Sequence, residues 1–334
     1  MFAVPEYDGR YGNPKSFTNW PGLPGLKELF KMWFLTKNNG SVPGEEVLNK
    51  TLPVQKPVFD LTSKISATWL GHATVFVHLE EINFITDPVW ADRVSPFSFV
   101  GPKRYREPPC KIEELPDIQF GVISHNHYDH YDLDAIRDLS TRFPKMKWFV
   151  PKGLRENILK YTQENEVFEL VWGEHITVTH NDNSVKVWSV PAQHWSLRWL
   201  FDKNKSLWSG WVVEGPSKKF YFAGDTGYVT TEFEKIGKNL GPFDLSAIPI
   251  GAYAPRFFMT GQHIDPQEAV HVHKLVQSKK SMAIHWGTYP MGSYEPYMEP
   301  KTWLQEEVLK ANLTPADFDT VNHGETITER QEKT

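Results

Sequence analysis

Residues 123–131 read Ile-Ser-His-Asn-His-Tyr-Asp-His-Tyr, which places His125, His127, Asp129 and His130 within six positions. An apolar run with strand character precedes this segment, and a helical pattern follows it. Side chains two positions apart on an extended backbone point the same way, so His125 and His127 are expected to face one point. Asp129 and His130 lie at the turn and are expected to face a second point nearby. Imidazole and carboxylate groups both suit zinc, so the segment predicts a metal centre.

Three more ligand-type residues follow predicted strands later in the chain, namely His194, Asp225 and His285. Each of them comes just after an apolar run with strand character. One such coincidence is weak, but four strand ends that carry ligand-type residues favour a single shared site. An earlier predicted strand ends at Asp87, directly before Pro88, where a carboxylate is well placed to orient a ligand histidine.

The composition limits the classes of protein that need to be considered. The chain has 334 residues, 41 of them acidic and 36 basic, which argues against nucleic-acid binding through net charge. Its single cysteine, Cys110, excludes an intramolecular disulfide. No run approaches the roughly 18 uncharged apolar residues of a membrane-spanning helix. The N-terminus lacks the basic and apolar regions of a secretory signal, so an intracellular location is expected.

Residues 1–60 are predicted to form an arm, followed by one main domain over residues 61–334. The arm is rich in Pro, Gly and Asn and contains one helical stretch, residues 26–37, whose apolar residues recur at helical spacing. With Trp and Phe on one side and three Lys along the flank, this helix is suited to lie in a bilayer interface. Packing of the same apolar residues against the main domain is the alternative.

A Pro-rich loop over residues 88–117 is a second candidate for membrane contact. It carries Lys103, Arg104 and Arg106, which are expected either to form a solvated basic rim or to contact an anionic lipid surface. The loop and the helix together predict a peripheral membrane protein, with the compartment left open. The sequence does not fix the oligomeric state, and a homodimer is one of the alternatives.

The ligand pattern His-x-His-x-Asp-His, with distant His, Asp and His, resembles that of the metallo-β-lactamase superfamily. Longer stretches resemble one branch of it, the N-acylphosphatidylethanolamine-hydrolysing phospholipase D family. These stretches are RYGNP (10–14), SVP (41–43), TWLGHATV (68–75), GPKR (101–104), SHNHYDH (124–130), QHW (193–195), FAGDTGY (222–228), IPIGAY (248–253) and KSMAIHWGT (280–288). The resemblance runs from about residue 10 to about residue 325.

This resemblance implies an α/β (α+β) protein, a four-layer αββα sandwich with two zinc ions in a cleft at one sheet edge. It assigns seven ligands: His125, His127 and His194 to one zinc, Asp129, His130 and His285 to the other, and Asp225 to both. Asp87 is expected beside a ligand histidine. His72 is expected either in the same supporting position or as a hydrogen-bonded structural histidine.

Other residues are assigned to catalysis or to the substrate. Asp129, Asp225 and His263 are expected to act in catalysis, because a histidine at the position of His263 faces the substrate phosphate in the family. The residues expected to contact substrate are Gln262, His263, Trp195, Tyr253 and Phe257. Residues that flank the ligand segments either line an acyl-chain groove or simply pack loops: Trp195, Trp199, Leu200, Phe257, Phe258, Met259, Tyr294 and Met298.

The activity that the resemblance implies is zinc-dependent hydrolysis of N-acylphosphatidylethanolamine to an N-acylethanolamine and phosphatidic acid. A hydroxide that bridges the metals would attack phosphorus, and either His263 or a metal-bound water would protonate the leaving oxygen. Three alternatives stay open: another dinuclear hydrolase of this fold, such as a β-lactamase, lactonase, nuclease or other phosphodiesterase; a di-iron redox protein; and a non-catalytic binding relative. Common zinc β-lactamases use a Cys ligand, and the only cysteine here lies in the Pro-rich loop, whereas a nuclease is expected to be basic. A di-iron protein prefers an extra carboxylate where this chain has His127 or Asn126. A non-catalytic relative is favoured by the loss of a ligand, but all seven ligand-type residues are present.

Overall fold

The computed structural model describes residues 2–96, 99–162, 165–199, 201–290 and 292–329. Its strands in this range are β1 (Glu6–Tyr7), β2 (Arg10–Tyr11), β3 (Ile65–Gly71), β4 (Thr74–Leu79), β5 (Ile82–Thr86), β6 (Phe120–Val122), β7 (Lys147–Pro151), β8 (Val167–Leu170), β9 (His175–His180), β10 (Asn183–Val190), β11 (Gly210–Glu214), β12 (Lys219–Phe222), β13 (Leu245–Pro249), β14 (Ser281–Ile284), β15 (Phe318–Asp319) and β16 (Thr326–Thr328).

The α-helices of the described residues are α1 (Leu26–Phe30), α2 (Glu45–Thr51), α3 (Leu133–Arg142), α4 (Arg155–Ile158), α5 (Thr230–Leu240), α6 (Arg256–Met259), α7 (Pro266–Leu275) and α8 (Glu299–Lys310). A π-helical turn, Lys31–Leu35, continues α1, and a 3₁₀ turn lies at Ile112–Glu114. The start of α7 is determined locally, because Asp265 accepts a hydrogen bond from the Glu268 backbone N–H while the Glu268 side chain accepts one from the Asp265 backbone N–H. None of the helices in the described ranges has the length and apolar character needed to cross a bilayer.

Two seven-stranded mixed sheets form the centre of the fold, in the orders β16-β3-β4-β5-β6-β7-β8 and β15-β14-β13-β12-β11-β10-β9. In each sheet an antiparallel portion continues into a parallel one, from β5 to β8 and from β12 to β15. Parallel strands bring their carboxyl ends to one sheet edge. The segments after β5 and β6 therefore emerge at one edge of the first sheet, and those after β12 and β14 at one edge of the second. These segments carry Asp87 and every predicted ligand except His194, which follows β10. The predicted four-layer αββα fold is confirmed.

The main core lies between the two sheets, where the rings of Phe84 and Phe220 pack with centroids 5.6 Å apart. A second cluster lies between the outer face of the first sheet and α3, which contributes Ile136 and Leu139. Because both faces of the sheet are covered, β4 and β5 are buried along their whole length. Burial of each large apolar side chain contributes about 1.5–3 kcal/mol, which holds the ligand-bearing edge rigid.

Residues before position 61 contact the main domain at separate places. Leu48 and Leu52, from α2 and its end, join the core between the sheets. Tyr11 and Phe17 belong to another cluster, in which Phe17 stacks on Trp172 at 5.9 Å. The division of the chain at residue 60 stays a prediction.

The predicted helix at residues 26–37 is found as α1 and the π-helical turn, which end two residues earlier, at Leu35. Most of its large apolar side chains are exposed: Trp33 is 64% exposed and Phe34 69% exposed. Met32 is buried, and Lys31 lies over the Phe257 ring of α6 at 4.0 Å. The helix therefore rests on α6 along a narrow face and leaves most of its apolar surface open.

The expectation for two of the three basic residues in the Pro-rich loop is wrong. Arg104 and Arg106 are buried and form neither a solvated nor a lipid-facing rim. The Arg104 guanidinium donates to the backbone carbonyl of Val89 at 2.7 Å and to the Tyr289 hydroxyl at 3.0 Å, so it ties the loop down from inside. Lys103 alone of the three is exposed, 4.0 Å from the Asp92 carboxylate.

Candidate metal centre

The first group of predicted ligands consists of three histidines whose ring nitrogens converge. His125 Nε2 lies 2.8 Å from His127 Nδ1, and His194 Nε2 lies 3.2 Å from the same atom. His125 and His127 come from the segment after β6, whereas His194 follows β10 of the other sheet. Three imidazole nitrogens directed at one small volume are a common ligand set for a divalent metal.

The second group joins Asp129 and His130 of the same segment with His285, which follows β14. Asp129 Oδ2 lies 3.3 Å from His130 Nε2 and 3.6 Å from His285 Nε2. His72 belongs to this group as well, because its Nε2 lies 2.9 Å from the same carboxylate oxygen.

Asp225 lies between the two groups. Its Oδ2 is 3.8 Å from both His125 Nε2 and His194 Nε2 in the first group, and 3.3 Å from His130 Nε2 in the second. Its Oδ1 is 3.1 Å from His285 Nε2. A carboxylate in this position can contact two cations at once, which is the geometry that a bridging ligand requires.

The donor atoms of the cluster support a fit to metal ions. His130 Nε2, His285 Nε2 and Asp225 Oδ1 are buried and make no hydrogen bond of good geometry, although oppositely charged or polar atoms lie 3.1–3.3 Å from them. Unpartnered buried polar atoms are costly, and such atoms are rare in folded proteins unless an ion or water satisfies them. Three of them in one His/Asp cluster are well matched to divalent cations.

The electrostatics of the cluster point to the same conclusion. Burial lowers the pKa of His125 and His194 well below the usual value, so both imidazoles are neutral donors. For Asp225, burial is outweighed by His130 and His285, and the pKa of its carboxyl is well below the usual range. Burial of His285 is in turn outweighed by Asp225 and Asp129, which raise its pKa to about 9. The buried carboxylates of Asp129 and Asp225 are therefore stable only beside positive charge, which either protonated histidines or cations can supply.

Asp87, predicted to brace a ligand histidine, lies against His130. Its Oδ2 accepts a hydrogen bond from His130 Nδ1 at 2.7 Å, which fixes the ring so that Nε2 faces the cluster. Ser124 donates to the same carboxylate through its backbone N–H at 2.6 Å and its hydroxyl at 2.5 Å. Ser124 was not singled out from the sequence, although it directly precedes His125.

His263 lies at the edge of the cluster, with Nδ1 3.7 Å from Asp225 Oδ2. Burial lowers the pKa of His263 to about 4, so the ring is neutral. Its backbone carbonyl accepts a hydrogen bond from Arg256 at 2.9 Å, and Arg256 is held in turn by the Glu268 carboxylate. Arg256 is therefore a further residue that positions the site, and no motif in the sequence points to it.

Gln262 and Trp195 are joined to each other beside the first ligand group. The Trp195 indole N–H donates to Gln262 Oε1 at 2.6 Å, and the indole ring lies against His127 with centroids 4.6 Å apart. The Gln262 backbone carbonyl accepts a hydrogen bond from His194 Nδ1 at 3.0 Å. Gln262 thus orients a ligand histidine through its main chain, a role that its side chain alone does not suggest. A related contact was missed: Asn13 donates to the His194 carbonyl at 2.8 Å.

The other residues predicted to contact substrate or to line an acyl-chain groove include both buried and exposed side chains. The buried Tyr253 donates its hydroxyl to Glu299 at 2.7 Å and packs against Trp303, so its polar group is already used within the protein. Phe257 is 38% exposed on α6, beneath Lys31. Trp199 is exposed, whereas Met259 is buried. Leu200 lies outside the described residues.

Two comparisons of sequence agree on the family. The profile of the family described as "Beta-lactamase superfamily domain" matches residues 82–286. The chain is 51% identical to "N-acyl-phosphatidylethanolamine-hydrolyzing phospholipase D 1" of Caenorhabditis elegans, over 97% of this chain and 94% of that protein. It is 35% identical to the "N-acyl-phosphatidylethanolamine-hydrolyzing phospholipase D, mitochondrial" of Saccharomyces cerevisiae, over 71% of this chain and 50% of that protein.

Solved structures share the fold at low sequence identity. A possible metal-dependent hydrolase from Veillonella parvula superposes with a TM-score of 0.61 at 17% identity, over 80% of this chain and 100% of that one. The diiron beta-hydroxylase CmlA from Streptomyces venezuelae gives 0.56 at 20% identity, over 80% of this chain and 54% of that one. Proteins with this fold are described as performing different reactions, so the fold alone does not identify the reaction of this chain.

The His/Asp cluster at one edge of the αββα sandwich, taken with these relatives, defines a metal-dependent hydrolase with the metallo-β-lactamase fold. The identity over nearly the whole chain narrows this class. The chain belongs to the N-acylphosphatidylethanolamine-hydrolysing phospholipase D family of the metallo-β-lactamase superfamily.

Proposed function

We propose that this chain is a zinc-dependent phospholipase D that hydrolyses N-acylphosphatidylethanolamine to an N-acylethanolamine and phosphatidic acid. The observation that carries the proposal is the placement of Asp225 between two groups of ligand atoms, each of which suits zinc. The names of the relatives from Caenorhabditis elegans and Saccharomyces cerevisiae supply the substrate class.

The roles of the residues follow from this geometry. His125, His127 and His194 would hold one zinc, Asp129, His130 and His285 the other, and Asp225 both. Zinc ions bound there supply Lewis acidity, which lowers the pKa of water and attracts the phosphodiester anion. His263, 3.7 Å from Asp225, is placed to contact the phosphate or the leaving oxygen, and its neutral ring can act as donor or acceptor.

The site requires access to a lipid, and our candidate for the docking element is α1 together with its π-helical turn (Leu26–Phe30 and Lys31–Leu35), called the docking helix below, with residues 1–60 as the arm that carries it. Its exposed apolar side chains, which include Phe30, Trp33 and Phe34, flank Lys31 in the sequence. Lys31 contacts α6, and the α6 residue Arg256 holds the backbone of His263. The docking helix is therefore adjacent to the element that borders the ligand cluster, which favours peripheral binding with the cleft directed at the membrane.

Product analysis in heavy-oxygen water tests the reaction. With N-acylphosphatidylethanolamine as substrate, the label is expected in phosphatidic acid and not in the N-acylethanolamine, because attack occurs at phosphorus. About two zinc ions per chain are expected in the same preparation, and a chelator should abolish activity. Label in the alcohol product would contradict the proposed bond cleavage, and full activity with one zinc or none would contradict the proposed metal centre.

A further inference from the structure

We propose that Thr288 and His323 are positioning residues of the metal centre. They fix the turn that carries His72, and His72 holds the Asp129 carboxylate in the direction that a ligand needs. The inference deepens the proposed metal centre and rests on it. Thr288 and His323 belong to none of the ligand groups, and both lie outside residues 82–286, which match the superfamily domain.

The turn between β3 and β4 has a conformation that needs external support. Gly71 and His72 are consecutive and both have positive φ, +109° and +52°. The second value is uncommon for a residue with a side chain, and this backbone conformation costs free energy. A Cβ at Gly71 would lie 3.2 Å from His323 Cδ2, 3.3 Å from Arg104 Nη1 and 3.5 Å from Thr288 Cγ2, so these three residues fill the space beside the turn.

Hydrogen bonds from three directions hold the backbone of His72. Its N–H donates to Thr288 Oγ1 at 2.8 Å. Its carbonyl accepts from the Trp69 indole N–H at 2.9 Å and from the backbone N–H of the ligand His285, also at 2.9 Å. The turn is therefore tied to the segment that supplies His285, and the Thr288 hydroxyl is the side-chain part of that tie.

The Thr288 hydroxyl has to serve three neighbours. It accepts from the His72 N–H, and it lies 3.2 Å from the Trp286 carbonyl and 3.0 Å from His323 Nε2. A hydroxyl has one proton to donate. When it donates to Trp286, His323 must donate to it through Nε2–H; otherwise it donates to His323. In both arrangements His323 completes the hydrogen bonding of Thr288.

His323 is itself held rigidly, although it lies near the C-terminal end of the described residues. It is fully buried, and its ring packs on Trp69 with centroids 4.2 Å apart. The backbone N–H of Gln55 donates to its carbonyl at 2.9 Å, and the N–H of Gly324 donates to the Trp69 carbonyl at 2.7 Å. The C-terminal segment thus brings a fixed imidazole to the back of the metal centre.

The side chain of His72 connects this support to the ligand Asp129. A carboxylate can only accept, so the 2.9 Å contact assigns the proton to His72 Nε2. The accepting oxygen, Oδ2, is the one that faces His130 Nε2 at 3.3 Å. His72 therefore determines the direction of the oxygen that points into the second ligand group, and the link from His323 through Thr288 determines where His72 stands.

Zinc affinity, measured by competition with a chromogenic chelator, tests the link without use of substrate. Thr288→Val and His323→Phe remove the hydroxyl and the ring nitrogens while keeping similar volumes. Each is expected to weaken one of the two zinc sites by up to about 10- to 100-fold, which is the effect of losing a group bonded directly to a ligand and is the upper limit for residues that act through His72. In activity assays, kcat is expected to fall by a larger factor than KM changes. Thr288→Ser, which retains the hydroxyl, should keep the zinc affinity and kcat of wild type.

A matched control is available elsewhere in the fold. His273 and Ser281 form another buried imidazole–hydroxyl pair, 2.7 Å apart, in which neither member belongs to a ligand group. His273→Phe is expected to lower the Tm and to leave both zinc affinities unchanged. If Thr288→Val and His323→Phe behave like this control, the link is structural only and the inference is wrong. If wild-type protein binds fewer than two zinc ions, the proposed metal centre fails first. Should Thr288→Val not fold, His323→Phe alone decides the question.

Discussion

The ligand cluster buries polar atoms, whereas α1 and its π-helical turn expose apolar ones. In the cluster, His130, His285 and Asp225 are almost fully buried and have ring nitrogens or oxygens without hydrogen-bond partners. In the helix, Trp33 and Phe34 are mostly exposed. Folded proteins usually avoid both situations, and each of them points to a partner that is not part of the chain.

The two regions differ in how strongly they need that partner. An unpaired buried charge costs several kcal/mol, so the carboxylates of the cluster need positive charge beside them, from protonated histidines or from cations. An exposed Phe or Trp costs the folded chain little, and it contributes about 1.5–3 kcal/mol only when a lipid surface covers it. Changes in the cluster should therefore abolish the chemistry, and changes in the helix should affect only the step that brings lipid to it.

The largest effect is expected for Asp225→Asn, which removes the negative charge between the two groups. We expect activity to fall at least about 100-fold, because loss of a group that merely orients a ligand already costs about 10–100-fold. Product formation, bound zinc and Tm should be measured together. Activity within tenfold of wild type, with two zinc ions retained, would show that Asp225 does not bridge the metals.

Asp87→Asn is expected to have the next largest effect. The carboxylate accepts from His130 Nδ1 and from Ser124, and an amide can keep only one acceptor oxygen in that position. Zinc affinity should fall about 10–100-fold, with activity recovered at excess zinc. Equilibrium dialysis against buffered zinc measures the first quantity. A variant that loses activity but binds zinc as tightly as wild type would assign Asp87 another role.

A smaller and more selective effect is expected for Phe30→Ser combined with Trp33→Ser. Vesicle binding should weaken at least about tenfold, since two lost apolar contacts of about 1.5–3 kcal/mol each exceed the 1.4 kcal/mol that corresponds to tenfold. Activity on vesicles should fall with it, while activity on a short-chain, water-soluble analogue is kept. Co-sedimentation with phospholipid vesicles measures the binding, and assays on vesicles and on the water-soluble analogue measure the two activities.

Leu309→Ser provides the control for that experiment, because Leu309 is 65% exposed on α8 and lies outside the docking helix. It should change neither binding nor activity. If the α1 variant loses both activities and its Tm falls, the helix is a structural element. If nothing changes, the docking surface lies elsewhere, and the exposed Trp199 and Phe257 are the next positions to replace.

The smallest effect concerns His273, a buried polar residue whose hydrogen bond is satisfied by Ser281 within the chain. Burial lowers its pKa from 6.5 to about 4. Between these values the unfolded chain binds more protons, so the contribution of His273 to stability is lost as pH falls below about 6.5. Between pH 7 and pH 5 the free energy of unfolding should drop about 2 kcal/mol less in His273→Gln than in wild type. Urea unfolding at both pH values measures the free energies. An equal drop in the variant and in wild type would contradict a lowered pKa for His273.

The local ligand pattern was readable because it lies within one short segment and its residue types are unusual after a buried strand. His125, His127, Asp129 and His130 needed only the backbone geometry of a strand end. The distant ligand-type residues His194, Asp225 and His285 could be proposed from their own strand ends and from the family resemblance. The structure brings the side chains of all seven together from the two sheets, and their roles as ligands stay a prediction.

The burial of two basic residues in the Pro-rich loop could not be predicted from sequence patterns. Lys103, Arg104 and Arg106 look alike in sequence, but two of them are buried. Whether an arginine faces solvent depends on carbonyls such as that of Val89, which reach it only after the loop folds back. In the same way, Arg256 and Tyr253 acquire their roles from Glu268 and Glu299, and no spacing rule connects those positions.

Spacing and strand periodicity were enough to predict seven ligand-type residues at strand ends, and the resemblance of longer stretches of sequence implied the superfamily and the αββα sandwich. Asp87 and His72 were candidates from the sequence, but only the tertiary structure showed their contacts and added further groups: Ser124 beside Asp87, Gln262 beside His194, and Thr288 and His323 behind His72. It also decided that α1 and its π-helical turn leave most of their apolar side chains open. These contacts join residues far apart in the chain, and their geometry exists only once the two sheets have packed and brought their edges together.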